Sequence, residues 1–366
     1  MSLSQRYYAL DTFRGITIAL MILVNSAGDG DTTYAILQHA PWHGFTLADF
    51  VFPSFLFIVG VAIRFALRPF QYQLSTEVSL KILRRTATLF LISYLIFNFP
   101  YIHFQLSHLR ILNVLQRIAL CYCAVSFLAL LIKSPNFLMG ICLFLLLGYW
   151  AIMLHFGDPS DPFGRMGNAA LKADLAVMGP DHLYHGEGYP FDPEGLLSTL
   201  PSIATALLGY LTGYFIQNTQ NKSLVLSRLL LAGVGLVAIA LLWNQVFPIN
   251  KKLWTSSFVV LVAGLDLLVL SLLIWLIDVQ KRTGWTTFFD VFGKNSIFAY
   301  GLSELLAILL WFIKISSESL YPTIFQQVFR PIFGDYNGSL AFAISFVLVC
   351  WLGCYLLYRK KIFLKI

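Results

Sequence analysis

The feature that most limits this chain is a succession of apolar runs, each about as long as a membrane is thick. A helix of roughly 20 apolar residues crosses about 30 Å of hydrocarbon with its backbone hydrogen bonds satisfied internally. Ten such runs are expected, at 10–27, 44–67, 80–99, 110–132, 136–155, 197–217, 225–246, 254–277, 286–313 and 337–358. Composition agrees, since the 366 residues are 58% hydrophobic and 12% charged, whereas a soluble domain runs near a quarter charged. The expected fold class is all-α, a polytopic transmembrane helix bundle of about ten membrane helices forming one domain over 1–366. The weakest runs are the first, with Asp11 and Arg14, and the ninth, with Lys294 and Glu304.

Charge orients such a bundle, because basic residues collect in cytoplasmic loops. With the N-terminus inside, the inner segments carry Arg6, Arg14, Arg64, Arg68, Lys81, Arg84 and Arg85, and the tail adds Arg359, Lys360, Lys361 and Lys365. The outer segments hold fewer, among them Arg110, Arg165, Lys251 and Lys252. Both termini are therefore expected in the cytoplasm. The same dispersal explains the formal +7 charge without a nucleic-acid partner. Cys121, Cys123, Cys142, Cys350 and Cys354 all fall in expected membrane helices with no acid or histidine cluster, so they read as packing residues, and no metal site is expected. No Walker A loop, Rossmann glycine fingerprint or Gly-x-Ser-x-Gly elbow occurs, so ATP-driven pumping and dinucleotide chemistry have no support.

Ionisable groups are expensive inside a bilayer, which makes each a functional candidate. Asp11 and Arg14 sit three apart and can pair on one helix face. Asn25 ends that helix on the outer side, and His39 and Asp49 flank the start of the next. A histidine near a carboxylate and an amide suits general-base work near neutral pH. The Asp would fix the imidazole tautomer and the Asn would donate to a developing oxyanion; the competing reading is a structural loop histidine. His39 and His43 have a metal-ligand spacing, but Pro41 breaks the helix between them and no third ligand is evident. Arg84 and Arg85 read either as topology determinants or as a phosphate clamp for a cytoplasmic nucleotide-bearing donor. Arg117, Asp266, Lys294, Asn295 and Glu304 lie deeper, with mutual pairing as the plain alternative. The outer segments 28–43, 156–196 and 247–254 share one face, and the second, dense in Gly, Asp, His and Pro, is too long for a simple connector.

Seven stretches carry a resemblance: LDTFRGITIALMILVN (10–25), HAPWHGFTLADFVFPSFLFIVG (39–60), LRILNVLQRIAL (109–120), DHLYH (181–185), FDPEGLLSTLPSI (191–203), PINKKLWTSSFV (248–259) and GKNSIFAY (293–300). In this order they resemble the membrane acyltransferase family typified by heparan-α-glucosaminide N-acetyltransferase, which includes bacterial NagX-like proteins. The resemblance implies transfer of acetyl from cytoplasmic acetyl-CoA to a glucosamine-type amine across the membrane. It implies a catalytic His39 with Asn25, and Asp49 joins them as the residue that orients the ring. Either His39 serves as a general base or it is transiently acetylated; the sequence leaves both open.

Arg84, Arg85, Arg117 and Asn295 are the candidate donor-binding residues. Asp181, His182, Asp192, Glu194 and Trp254 are the candidate sugar contacts, although Asp192-Pro193-Glu194-Gly195 reads equally as a helix cap. Expected partners are an amino-sugar or glycan acceptor and the lipid bilayer of the cell (inner) membrane, with a homodimer as the candidate assembly. The alternative reading is an amino-sugar or N-acetylglucosamine transporter. Two departures from the lysosomal enzyme are expected. Its luminal N-terminal region and first membrane helix have no counterpart here, and His43 stands where it has an Asn.

Overall fold

The computed structural model describes residues 8–99, 108–315 and 317–364; Arg6 and Lys365, counted above among the inner charges, lie outside them. The described residues are mostly helical. The helices are α1 (Tyr8–Asn25), α2 (Leu47–Ala66), α3 (Thr76–Phe97), α4 (Val114–Leu131), α5 (Pro135–Phe156), α6 (Ala169–Met178), α7 (Thr199–Asn218), α8 (Lys222–Trp243), α9 (Ser256–Leu273), α10 (Thr286–Lys294) and α11 (Ser296–Phe312). Two short turns, α12 (Leu320–Ile324) and α13 (Arg330–Phe333), lead into α14 (Asp335–Arg359). The only strands among the described residues pair Lys314–Ile315 with Glu318–Ser319.

By length and composition, eight described helices are able to cross a membrane, or nine if α10 and α11 form one span bent by 84°. All ten expected runs fall on helices. The run at 80–99 belongs to α3, where Lys81, Arg84 and Arg85 interrupt the apolar stretch. Helix starts follow from capping side chains that take up backbone N–H groups left without helical partners. Ser75, Asn113, Ser134, Asn168 and Asn221 do this for α3, α4, α5, α6 and α8. On the outward faces of α5, α8 and α14, large apolar side chains such as Phe144, Leu231 and Leu352 stay exposed, as suits helices solvated by lipid.

Two compact units form. The first comprises Met1–His39, Thr46–Phe55 and Leu272–Ile366. In it α1 lies directly on α10: a Cβ on Gly15 would meet the Phe289 carbonyl oxygen at 1.8 Å, and one on Gly293 would meet that of Asp11 at 2.3 Å. Small residues at such crossings let membrane helices approach closely. Thr12 Oγ1 donates to Asp290 at 3.0 Å across the same seam, and Asp278 caps α1 through the Tyr8 and Ala9 N–H groups.

The second unit comprises Ala40–Phe45 and Leu56–Ser271. Here the later half of α2 packs on α7 through Gly60, Gly209 and Gly213. An apolar cluster joins Tyr149 of α5 to Trp42, Phe163, Phe191, Phe247 and Leu253 and organises the loops around it.

Candidate active site

The start of α2 builds the most chemically suggestive arrangement. Thr46 precedes the helix and Asp49 sits three residues on, the spacing of a capping box. The Asp49 Oδ2 accepts the Thr46 backbone N–H at 3.1 Å and lies 3.1 Å from its hydroxyl, which also reaches the Gln38 carbonyl at 2.7 Å. Gln38 in turn donates to the carbonyls of Gly30 and Thr33. With one oxygen spent on the helix end, the other, Oδ1, accepts from His39 Nδ1 at 2.8 Å. Asp49 is 1% exposed and His39 40%. A carboxylate accepts only, so the neutral ring carries its proton on Nδ1 and presents a lone pair at Nε2. A buried acid therefore orients an accessible base. Asn25, the last residue of α1, is exposed, and its amide has no hydrogen-bond partner among the described residues.

In the second unit the 156–196 loop is ordered around a charge cluster. Arg110 donates through Nε and Nη2 to both oxygens of Asp192, at 2.9 and 2.7 Å, and through Nη2 to Glu194 at 2.9 Å. Burial opposes the Arg110 charge, yet the two carboxylates prevail and raise its pKa. Burial pushes the Asp192 carboxyl above its usual range despite Arg110. It also works on Glu194, but Arg110, Lys251 and Arg117 outweigh it and hold that pKa low. Asp174 accepts the Leu196 and Leu197 N–H groups at 2.8 and 3.4 Å, just ahead of α7. Burial lifts its pKa to about 6.

The other candidates have definite places. Arg117 is fully buried, donates to the Gly195 carbonyl and Ser198 hydroxyl, and lies over the Trp254 ring. Its Nε and Nη1 have no hydrogen-bond partner among the described residues. Trp254 is likewise wholly buried and donates to Thr205 at 3.1 Å, so it packs in the core and offers no surface for a sugar to stack on. Asn295 holds the C-terminal segment instead of facing a cavity: its Nδ2 donates to the Ile362 carbonyl and its Oδ1 accepts the Leu364 N–H. Arg84 is exposed, whereas the Arg85 guanidinium lies 4.4 Å from the centre of the Tyr122 ring. His182 donates from Nδ1 to the Leu109 carbonyl at 2.8 Å, and Asp181 is an exposed neighbour of His108. Asp192 and Glu194 face Arg110, 82 and 84 positions away. Arg110 and Asp174 escaped sequence reasoning as members of this charge cluster; the one available signal was the density of acids in 156–196.

Comparison with known proteins follows the same residues. The catalytic family described as heparan-alpha-glucosaminide N-acetyltransferase, catalytic, matches residues 6–230. The human heparan-alpha-glucosaminide N-acetyltransferase is 30% identical over 421 aligned positions, covering all of this chain and 60% of the human protein. The mouse protein of the same name is 28% identical, with 61% of its length covered. The chain thus spans about three fifths of the curated relatives it matches.

Proposed function

Since this chain belongs to the heparan-α-glucosaminide N-acetyltransferase family, we propose that it is a membrane-embedded acetyltransferase that moves an acetyl group from acetyl-CoA to the amine of a glucosamine-type sugar. The observation that carries the reading is His39 held at 2.8 Å by the buried Asp49. A protonated amine cannot attack a thioester. His39 Nε2 takes one proton from the ammonium, and the freed nitrogen lone pair forms a bond to the acetyl carbonyl carbon. The carbonyl electrons move to oxygen, where the Asn25 amide donates to the oxyanion. Collapse breaks the carbon–sulfur bond, the departing CoA thiolate takes the proton from His39, and the newly acylated nitrogen releases its remaining extra proton to solvent. N-acetyl sugar and CoA thiol leave, and the ring returns to its starting tautomer.

In this reading acetyl-CoA approaches from the cytoplasmic side, with Arg84 and Arg85 meeting its phosphates. The partnerless nitrogens of Arg117 make it a further donor contact. Asp181 and His182 remain the sugar contacts on the opposite face. Asp192 and Glu194 act through Arg110 to hold their loop, while Asn295 and Trp254 have structural tasks. A multi-pass protein of the inner membrane with both termini in the cytoplasm fits the dispersed inner charge.

The test is direct. Detergent-purified protein given acetyl-CoA and glucosamine should yield N-acetylglucosamine and free thiol in equal amounts, measured by mass spectrometry and a thiol reagent. Accumulation of N-acetylglucosamine in proteoliposomes without CoA, and no product in detergent, would replace this reading with a transporter.

A further inference from the structure

His43, four residues after His39, carries the opposite hydrogen-bond polarity. Asn250 fixes it. The Asn250 Oδ1 accepts the Leu253 backbone N–H at 2.8 Å, so the amide cannot be flipped without setting two donors against each other. Its NH2 nitrogen lies 3.2 Å from His43 Nδ1. An amide NH2 only donates, so Nδ1 is the acceptor and the ring proton sits on Nε2. The turn bearing this ring is also pinned. Gly44 donates its N–H to the Ile249 carbonyl at 2.9 Å, and Trp42 Nε1 donates to the Phe163 carbonyl at 2.9 Å. The His43 side chain is exposed, and its Nε2 has no hydrogen-bond partner among the described residues.

We infer that His43 is a tautomer-fixed hydrogen-bond donor, presenting Nε2–H to an oxygen of the acceptor, a hydroxyl in the case of an amino sugar. The inference rests on the transferase reading above and adds a specificity-determining residue to it. His43 holds no proton-transfer role, because its Nδ1 is occupied by the Asn250 amide and its Nε2 already carries the proton. Around the same turn, Lys252 donates to the Pro41 carbonyl at 3.2 Å and to Glu187 at 2.6 Å, while the Asp161 carboxylate acts on the His43 ring through its charge.

The tautomer is measured without any acceptor, from histidine 15N resonances of the full chain assigned by single substitutions. A His43 proton on Nε2 is expected, and one on Nδ1 overturns the inference. Kinetics with acetyl-CoA and glucosamine then read the role. His43→Phe should raise the glucosamine KM about three- to tenfold, the loss of one neutral hydrogen bond, with kcat and the acetyl-CoA KM within about twofold of wild type. His43→Gln, which restores an N–H near the lost nitrogen, should recover most of it. In the wild type one monodeoxy glucosamine should show a matching KM increase that His43→Phe does not share. Wild-type tolerance of every monodeoxy analogue overturns the inference even if the Phe variant fails to fold. If transfer proceeds but His43→Phe leaves the glucosamine KM unchanged, this inference alone falls. If no transfer occurs at all, the transferase reading falls and takes the role with it, while the 15N spectra still decide the tautomer.

Discussion

His39 and Asp49 depend on one carboxylate serving two masters, a helix end and an imidazole. That double duty makes Asp49→Asn informative. The Thr46 backbone N–H donates to Oδ2, so the Asn oxygen must take that place and its NH2 must face His39. The ring would then accept at Nδ1 and carry its proton on Nε2, leaving nothing to receive a proton from the amine. Asp49→Asn should lower kcat by roughly 10²–10⁴-fold, while the retained cap keeps the loss of stability under about 1 kcal/mol; parallel turnover and thermal melts check both. Asp174 makes a pH-dependent prediction. Its folded pKa of about 6 lies above the ordinary 3.8, so the folded state favours the protonated acid. The cost of ionising it is fully present above about pH 6, and stability rises as pH falls from there towards 4. Asp174→Asn should therefore raise the melting temperature at pH 7.5, relieving at most roughly 3 kcal/mol. The gain should shrink steadily as the melts are repeated down to pH 4.5.

At the scale of elements, the crossing of α2 and α7 is set by glycine. A Cβ on Gly209 would meet the Phe57 carbonyl oxygen at 1.9 Å, and one on Gly60 would meet that of Ala206 at 1.9 Å. Neither backbone atom can rotate away. Gly209→Val should cost about 1–3 kcal/mol through forced separation of the helices, read as a lower melting temperature in detergent; an unchanged midpoint would contradict the packing. Much at this scale was legible in the sequence, because apolar length alone marks membrane-crossing helices. The break between α10 and α11 was not, since Lys294-Asn295-Ser296 contains no proline or glycine to announce it. What holds the chain there is Asn295 bonding to residues 362 and 364, far along the sequence. The 156–196 loop was legible as an ordered segment, but its short α6 and the Arg110 clasp were not. Charge pairing across 82 residues leaves no trace in local pattern. The His39–Asp49 contact was more accessible to reasoning, because ten residues and a capping box separate the two groups.

For the whole molecule, the dispersed basic residues predict sidedness. Reporter or cysteine-labelling probes at either terminus should respond only from the cytoplasm, and labelling of the tail from outside would overturn the orientation. Donor and acceptor would then be met on opposite faces, and the eight or nine apolar spans among the described residues have no other purpose in this account than to let one imidazole serve both. That imidazole is the account's centre. The decisive measurement is the steady-state rate of N-acetylglucosamine formation from acetyl-CoA and glucosamine by wild type and by His39→Ala, in preparations shown to melt alike. The account predicts that the variant folds and binds acetyl-CoA but loses roughly 10²–10⁴-fold in kcat. A His39→Ala protein that acetylates glucosamine at the wild-type rate would contradict it.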